Sequence, residues 1–240
     1  MGISRSGSLS ALIAAGAAVL AVTVASPEGI VQRAGGSGTI RGRVTSTAPV
    51  VAGSLKVTAD EKICGPSVPD EAIVLDREGG VAHAVIAVKG LAWGEMAPVR
   101  LTNKGCRFIP HVSVAPPGIT LEVTSEDATL HTTHAYAPDG RSLFNVALPL
   151  VGLTIRQRVA NAPGAIRIVC DTHPWMKGFV YVSTDRATAS GSDGRFVLAD
   201  VPAGSYDLTV WHERLKGPAQ RVSVGTGQTV EVNFVMAAGT

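Results

Sequence analysis

Residues 163–182 read PGAIRIVCDTHPWMKGFVYV, two apolar segments joined by a loop that is rich in metal-ligating side chains. In the first segment Ile166, Ile168 and Cys170 fall on one face of an extended chain, because successive side chains of a strand point to opposite faces. The pattern predicts a strand that ends with the Cys170 thiol directed inward. A second apolar strand is expected directly after the loop.

The same period of two recurs along most of the chain. Apolar residues alternate with polar ones at 40–44, 84–88 and 112–123, and Gly, Pro, Asn and Asp separate these runs. Helical periodicity is almost absent after residue 30. The fold class is therefore predicted to be all-β, and many short strands at this spacing indicate a sandwich or barrel.

Composition excludes some functions and directs attention to the cysteines. A chain of 240 residues can bury a core of its own, and a net charge of +2 with a pI near 8.5 is too mild for a nucleic-acid-binding surface. No nucleic-acid partner is predicted. The chain has three cysteines, and an odd count in an oxidising compartment leaves one thiol without a partner.

The N-terminus predicts export. An uncharged run at 9–25 follows Arg5 and ends in small residues, which is typical of a secretory signal peptide at 1–25. An uncleaved anchor is the alternative, because the run is close to the lower length of a membrane span. Residues 26–37 then form a flexible leader. The folded part is expected in the periplasm, outside the cell or at its surface.

The C-terminal segment has its own pattern. A turn precedes GRFVLADVPAGSYDLTV, which resembles the carboxypeptidase regulatory-like β-sandwich from about 188 to 236 and implies a small second domain at 184–240. That family usually begins with a strand like GTIRGRVT at 38–45. This strand, with residues up to 60, belongs either to the middle domain or to the C-terminal strands; we favour the second arrangement.

The loop after the first strand supplies three potential ligands, Cys170, His173 and Met176. A second imidazole comes from SEDATLHTTHAY, where His131 and His134 are three apart and therefore face opposite sides of a strand. Only one of the two is expected to be a ligand. Two imidazoles, one thiolate and a weak thioether form the set that holds copper in blue-copper proteins.

Other chemistries fit the residues less well. Zinc could bind to the thiolate and imidazoles, but thioethers are poor zinc ligands and no second cysteine lies near, so Met176 favours copper. Covalent haem is excluded because the chain has no C-x-x-C-H motif. A thiol-dependent hydrolase based on Cys170 is disfavoured, because no helix N-terminus lowers the thiol pKa.

The segments CDTHPWMKG and LHTTHAY resemble the cupredoxins, and among them the amicyanins, which share the C-x-x-H-x-x-M and H-x-x-H spacings. FIPHVSVAPPGITLEV is similar to the strand pair of that family. The resemblance implies a Greek-key cupredoxin-like β-sandwich at 38–183, best matched at 107–183. It also implies a single type 1 copper ion, with ligands at His131, Cys170, His173 and Met176.

Two departures affect the surroundings of the ligands. The family usually has Asn after the first ligand histidine, where this chain has Thr132, which can make only part of that tether. Asp171 and Thr172 stand where amicyanins have another pair. Asp171 places a carboxylate beside the thiolate, and such neighbours tune the rigidity and potential of a site.

The resemblance implies an exported electron carrier rather than an enzyme. The copper ion would exchange electrons by outer-sphere transfer through the edge of His173, and redox partner proteins would dock near His173 and Trp175. Two alternatives stay open, a non-redox surface binding or structural β-sandwich module, and a copper storage or delivery protein.

The remaining cysteines and histidines are assigned structural roles. Cys64 and Cys106 lie in turn-rich contexts and are predicted to form a disulfide, which would leave Cys170 free. His111 is predicted at the surface or rim, because it is out of phase with its inward neighbours. His83 and His212 are predicted to be structural. Asn145 lies on a loop that is expected near His131.

Overall fold

The computed structural model describes residues 1–3, 36–47 and 53–238. The predicted signal peptide and most of the predicted leader lie outside these ranges. Within them the chain is all-β apart from one four-residue helix, which confirms the predicted fold class. None of the helical structure in these ranges has the length and apolar character that a membrane crossing requires.

The described residues form twenty strands and one helix. The first half of the chain contains β1 (Ser37–Ser46), β2 (Ser54–Lys56), α1 (Glu61–Cys64), β3 (Ser67–Pro69), β4 (Val85–Val88), β5 (Val99–Asn103), β6 (Phe108–Ile109), β7 (Val112–Ala115) and β8 (Thr120–Ser125). The second half contains β9 (His131–Tyr136), β10 (Ser142–Leu148), β11 (Thr154–Arg158), β12 (Gly164–Val169), β13 (Lys177–Val182), β14 (Ala187–Ala189), β15 (Arg195–Pro202), β16 (Gly204–Trp211), β17 (Leu215–Lys216), β18 (Gln220–Val224), β19 (Thr229–Glu231) and β20 (Phe234–Ala238).

Two sheets enclose a first hydrophobic core. One has the order β10-β9-β12-β13-β7 and the other the order β11-β8-β5-β6. Alternation along β8 buries Leu121 and Val123, and alternation along β12 buries Ile166 and Ile168 in the same core. The strand phase read from the sequence is therefore the observed one. It delivers Cys170, 3% exposed, to the end of this core.

A nine-stranded sheet encloses the second core. Its path runs β14-β4-β16-β17-β20-β1-β15, with β18 beside β16 and β19 beside β1. β1 pairs antiparallel with β15 and parallel with β19 and β20. At Gly42 a Cβ would overlap the carbonyl oxygen of Val232, so only glycine lets β1 lie against that neighbour.

The first strand therefore pairs with the C-terminal strands. The sequence allowed two arrangements for this strand, and this is the one that we favoured. Leu55 and Val57, further along the same stretch, pack instead on the first core. Residues 81–91, which the sequence placed in the middle domain, contribute Val81 and Ile86 to the second core. The predicted domain limits at 38–183 and 184–240 stay a prediction.

A short segment at residues 53–70, which we call the cap, contains β2, α1 and β3. A disulfide between Cys64 and Cys106 ties it to the turn before β6, as predicted, and Cys170 is the free cysteine. Val68 of the cap is buried in the first core. The cap thus forms a fixed wall at the end of the first sandwich where β12 delivers its thiol.

Candidate metal centre

Two neighbouring strands of the five-stranded sheet deliver the predicted ligands. β9 begins at His131, and β12 ends one residue before Cys170. The strands pair antiparallel, with Val169 opposite His134, so the start of one lies beside the end of the other. His131 and His173 are fully buried and Cys170 almost so. The fold thus gathers three potential ligands in one water-excluded place.

The donor atoms of these residues converge. Sγ of Cys170 lies 3.5 Å from Nδ1 of His173 and 3.9 Å from Nδ1 of His131. The two Nδ1 atoms are 3.0 Å apart. A trigonal or tetrahedral ion about 2.0 Å from nitrogen and about 2.3 Å from sulfur needs donor separations of about 3.3–3.7 Å. The observed separations lie close to that range, so the donor set fits a small transition-metal ion.

Two carboxylates hold the outer edges of the imidazoles. Oδ2 of Asp127 is 3.0 Å from Nε2 of His131, and Oδ2 of Asp60, in the cap, is 3.1 Å from Nε2 of His173. Hydrogen bonds from Thr129 and then from His173 lower the pKa of Asp60, so this group is ionised and accepts. Carboxylate contacts of this kind orient metal-binding imidazoles, and both rings direct their Nδ1 atoms toward the sulfur of Cys170.

The sulfur of this group is held in its metal-binding form. It lies beside the two Nδ1 atoms, which are 3.0 Å apart. Burial raises the pKa of Cys170, but interactions of Sγ with His131, Thr172 and the Thr132 backbone outweigh it and lower the pKa to about 5. At neutral pH the sulfur is thus a thiolate, the form that binds metals.

The thiolate is held by donors from both ligand-bearing segments. The Thr132 backbone N–H donates to Sγ at 3.3 Å, and the Thr172 hydroxyl lies 3.1 Å from it. The Thr172 hydroxyl also reaches the Leu130 carbonyl oxygen at 3.0 Å, and the Asp171 N–H donates to the Thr132 hydroxyl at 2.7 Å. These bonds join the two ligand segments, in the way the family's Asn was expected to do.

Met176 is the buried last residue of the ligand loop. It is 2% exposed and packs in the same core as Cys170. Its N–H donates to the His173 carbonyl at 2.9 Å, and the Cys170 N–H points to the Met176 carbonyl at 3.4 Å. The residues between Cys170 and Met176 therefore form a compact turn, as the sequence predicted for this loop.

His134 lies outside this group, on the opposite face of β9. Its Nδ1 is 3.0 Å from the Asp171 carboxylate and its Nε2 is 2.9 Å from the Ser142 hydroxyl. Asn145 donates to the same carboxylate at 2.6 Å. The facing argument from the sequence therefore agrees with the geometry. Asp171 turns outward to this polar group instead of facing the thiolate.

The cap covers His173, so its ring is not exposed to solvent as the sequence led us to expect. The ring is fully buried, and Asp60 stands between its Nε2 and solvent, with its own side chain 46% exposed. Trp175 lies 5.0 Å from His173 between ring centroids and donates to the Cys106 carbonyl at 3.2 Å. The edge of the His173 ring, which was expected to face a redox partner, is thus not at the surface. The exposed residues at this place are Asp60 and Pro174.

Sequence reasoning did not identify either carboxylate. Asp127 had a local signal, since it precedes His131 by four residues in the loop before β9. Asp60 had only an indirect one. It lies four residues before Cys64, and the predicted disulfide to Cys106 brings that segment to the sandwich, but its contact with His173 depends on tertiary structure.

A second group of histidines is buried where the two sandwiches meet. The sequence predicted His111 at the surface or rim, and this was wrong: it is 4% exposed, because Glu213 in the loop after β16 covers it. Its Nε2 lies 2.6 Å from Glu213, and Lys177 lies 2.5 Å from the same carboxylate. Burial raises the pKa of Glu213, but these two hydrogen bonds outweigh it, so the pKa lies below its usual range.

His212 and His83 belong to this second group. Nδ1 of His212 accepts bonds from the Arg214 and Leu215 N–H groups at 3.2 and 3.3 Å. Burial is the main reason that the pKa of each of these two histidines falls to about 4. They are neutral at pH 7, and the backbone bonds of His212 fit the structural role predicted for it.

Comparison with known families matches the C-terminal part. A model of the carboxypeptidase regulatory-like domain matches residues 178–237, somewhat more than the segment quoted from the sequence. The resemblance of this segment is thus confirmed. No curated protein is significantly similar to this chain.

Several solved structures of copper proteins are similar to part of the chain. A purple cupredoxin from Nitrosopumilus maritimus is 25% identical over 35% of this chain and 99% of its own, with a TM-score of 0.31. A copper-containing nitrite reductase from Thermus scotoductus SA-01 is 29% identical over 39% of this chain and 24% of its own, with a TM-score of 0.29. The reduced state of an amicyanin mutant is 17% identical over 41% of this chain and 98% of its own, with a TM-score of 0.33.

Proposed function

We propose that this protein is an exported mononuclear copper protein that exchanges single electrons with partners. Its ligands would be His131, Cys170, His173 and Met176, as in a type 1 site. The observation that carries the proposal is the convergence of two Nδ1 atoms and the sulfur of Cys170 in a buried place. Two imidazoles and a thiolate beside a methionine favour copper over zinc.

The chain's own residues would provide a rigid, dry environment. A bound copper ion would supply the one-electron redox couple. Asp127 and Asp60 fix both imidazole rings, and Thr132 and Thr172 hold the sulfur. Donors held in this way move little when the charge of the site changes, and outer hydrogen bonds of this kind tune the metal.

We further propose that redox partner proteins dock near His173 and Trp175, so that the protein is an electron carrier rather than an enzyme. Because the cap buries His173, such a partner would touch exposed Pro174 and the Asp60 carboxylate above the ring. Export to an oxidising compartment is supported by the Cys64–Cys106 disulfide.

Titration of the metal-free protein with Cu(II) tests this function. We expect one equivalent to bind, with intense thiolate-to-copper absorption in the visible region and a reversible one-electron wave in voltammetry. Cys170→Ser should abolish the absorption. His134→Ala is the matched control, because His134 lies on the other face of β9, and it should keep the colour.

Other outcomes would point elsewhere. A colourless protein that takes up no stoichiometric copper would refute the proposal. Copper uptake without a reversible wave, and with rapid Cu(I) transfer to a chelator, would indicate storage or delivery. Tighter binding of Zn(II) than of Cu(II), with Met176→Leu unchanged in both, would indicate a zinc site.

A further inference from the structure

The four proposed ligands are closed off from water. His131 and His173 are fully buried, and Cys170 and Met176 are 3% and 2% exposed. A hydrated ion therefore cannot reach any of them in this conformation, and a small reagent cannot reach the thiol. For a metal ion to enter or leave, some part of the wall around the ligands has to move.

The cap is only loosely tied to the two sandwiches. Its strands β2 and β3 pair with each other as a separate two-stranded sheet. In the described ranges its backbone hydrogen bonds stay within the cap, and the Asp70 N–H donates to the Gly53 carbonyl at 2.9 Å, which holds the two ends together. The ligand-bearing strands β9 and β12, by contrast, belong to one continuous sheet. The cap can thus tilt as one unit without breaking that sheet.

One carboxylate holds the cap against the centre. Between the cap and distant segments of the described chain, the side-chain hydrogen bonds are those of Asp60: Oδ2 accepts from the Thr129 hydroxyl at 2.5 Å and lies 3.1 Å from Nε2 of His173. The side chains of Val57 and Val68 add apolar contacts with the first core. Opening would break these few contacts, far fewer than the unfolding of a sandwich would break.

A disulfide keeps Asp60 in this position. Cys64 lies one helical turn after Asp60, and the N–H groups of Ile63 and Cys64 both donate to the Asp60 carbonyl at 2.9 Å. The bond to Cys106 attaches Cys64 to the turn before β6, and Cys106 is itself fully buried. Because this crosslink restricts α1, Asp60 cannot move far from His173 while the disulfide is formed.

We propose that the cap is a lid, and that its disulfide and Asp60 set the rate at which a metal ion enters and leaves the centre. The identity of the ion rests on the proposed function. The lid itself does not, since it also governs access to the Cys170 thiol in metal-free protein. With the disulfide formed, a bound ion is enclosed between the cap and the first sandwich, which suits an electron carrier that has to keep its metal.

Alkylation of metal-free protein with iodoacetamide tests the lid. Cys170 is the free cysteine, so its modification, followed by mass spectrometry, measures access to the centre alone. We expect slow alkylation of the wild type. The double variant Cys64→Ala, Cys106→Ala keeps the same single thiol and should react at least about tenfold faster. Its rate should vary little with urea below the unfolding transition, because local opening exposes little surface.

Two further variants separate the lid from general stability. His212→Gln is the matched control, because His212 bonds to backbone groups of the second sandwich, outside the cap, and it should react at the wild-type rate. Asp60→Gly keeps the disulfide and suits the φ of 51° at this position, and it should react a few times faster than the wild type. This variant also decides the question if the double variant fails to fold.

Transfer of copper from the loaded proteins to an excess of chelator tests the lid with an ion bound. Release from the double variant should be at least about tenfold faster than from the wild type. Uptake should also be faster, so that the affinity changes less than either rate. Equal alkylation rates in the wild type, the double variant and Asp60→Gly would overturn the proposal, as would equal acceleration by His212→Gln. If none of these proteins binds copper, the proposed function fails, and the alkylation rates still decide the lid.

Discussion

The protein buries two groups of histidines, and they differ in where their nitrogen atoms point. Around Cys170, the outer nitrogen of His131 and of His173 is held by a carboxylate and the inner nitrogens converge at 3.0 Å. In the second group, His212 accepts two backbone bonds and His111 pairs with Glu213. Burial of imidazoles alone therefore does not indicate a metal site; convergence of their inner nitrogen atoms on a thiol sulfur does.

Removal of one imidazole from each group should give the largest difference in copper affinity. His131→Gln should lower copper affinity more than about a thousandfold, because it removes a ligand, and even an outer contact typically changes affinity 10–100-fold. His212→Gln should leave affinity within about twofold. It should instead lower the free energy of unfolding by about 1–3 kcal/mol, because two buried backbone N–H groups lose their acceptor. Competition with a chelator and urea unfolding of the metal-free proteins measure the two effects.

The comparison would fail if both variants lost copper or if both kept it. A stability measurement on the same variant guards against a fold effect. His131→Gln protein that unfolds at the same urea concentration as the wild type, yet binds no copper, shows that the loss lies in the site.

The pH dependence of stability is expected to come from the second group. The pKa of His83 and of His212 is about 4 in the folded protein, against 6.5 in an unfolded chain. The unfolded state therefore binds more protons between these values, so the stability is complete above pH 6.5 and is lost as pH falls towards 4. The loss is up to about 3 kcal/mol for each histidine.

Urea unfolding of metal-free protein at pH 7, 5.5 and 4 measures this loss. His212→Gln should flatten the curve, because one of the two titrating groups is gone. Identical slopes in the wild type and in this variant would show that burial of His212 does not carry the pH dependence.

Substitution of one carboxylate beside each histidine group should have a smaller but still different effect on copper affinity. Asp60→Asn removes the charge behind His173 and should weaken copper binding about tenfold. The change suits the backbone, because Asp60 has φ 51° and Asn tolerates that region well. Glu213→Gln alters the carboxylate of the second group and should leave copper affinity unchanged. Equal effects of the two variants on chelator competition would contradict the assignment.

Much of the candidate centre could be predicted because it depends on local periodicity. Strand phase placed Cys170 inward, and the spacing of three between His131 and His134 placed them on opposite faces of β9. The Cys64–Cys106 disulfide followed from an odd cysteine count and turn-rich contexts, and the structure confirms it.

The rest depends on contacts between distant segments. Asp60 reaches His173 across 113 residues of sequence, and only the position of the cap brings them together. His111 was predicted at the surface because its phase is outward in its own strand pair, but that outer face is covered by Glu213 from the second sandwich. Residues 81–91 join the second core for the same reason, since pairing of β4 with β14 and β16 is non-local.

The smallest expected effect is on the reduction potential, through a hydrogen bond to the sulfur of Cys170. The Thr172 hydroxyl, 3.1 Å from Sγ of Cys170, draws electron density from the thiolate when it donates. Thr172→Val keeps the shape but removes this donor, so the thiolate neutralises Cu(II) better and the reduction potential of the copper-loaded protein should fall. The shift is on the order of tens of millivolts, the equivalent of one hydrogen bond. Voltammetry measures this shift, and Thr209→Val in the second sandwich is the control. A potential that rises or stays constant in Thr172→Val would show that this hydroxyl donates to the Leu130 carbonyl instead.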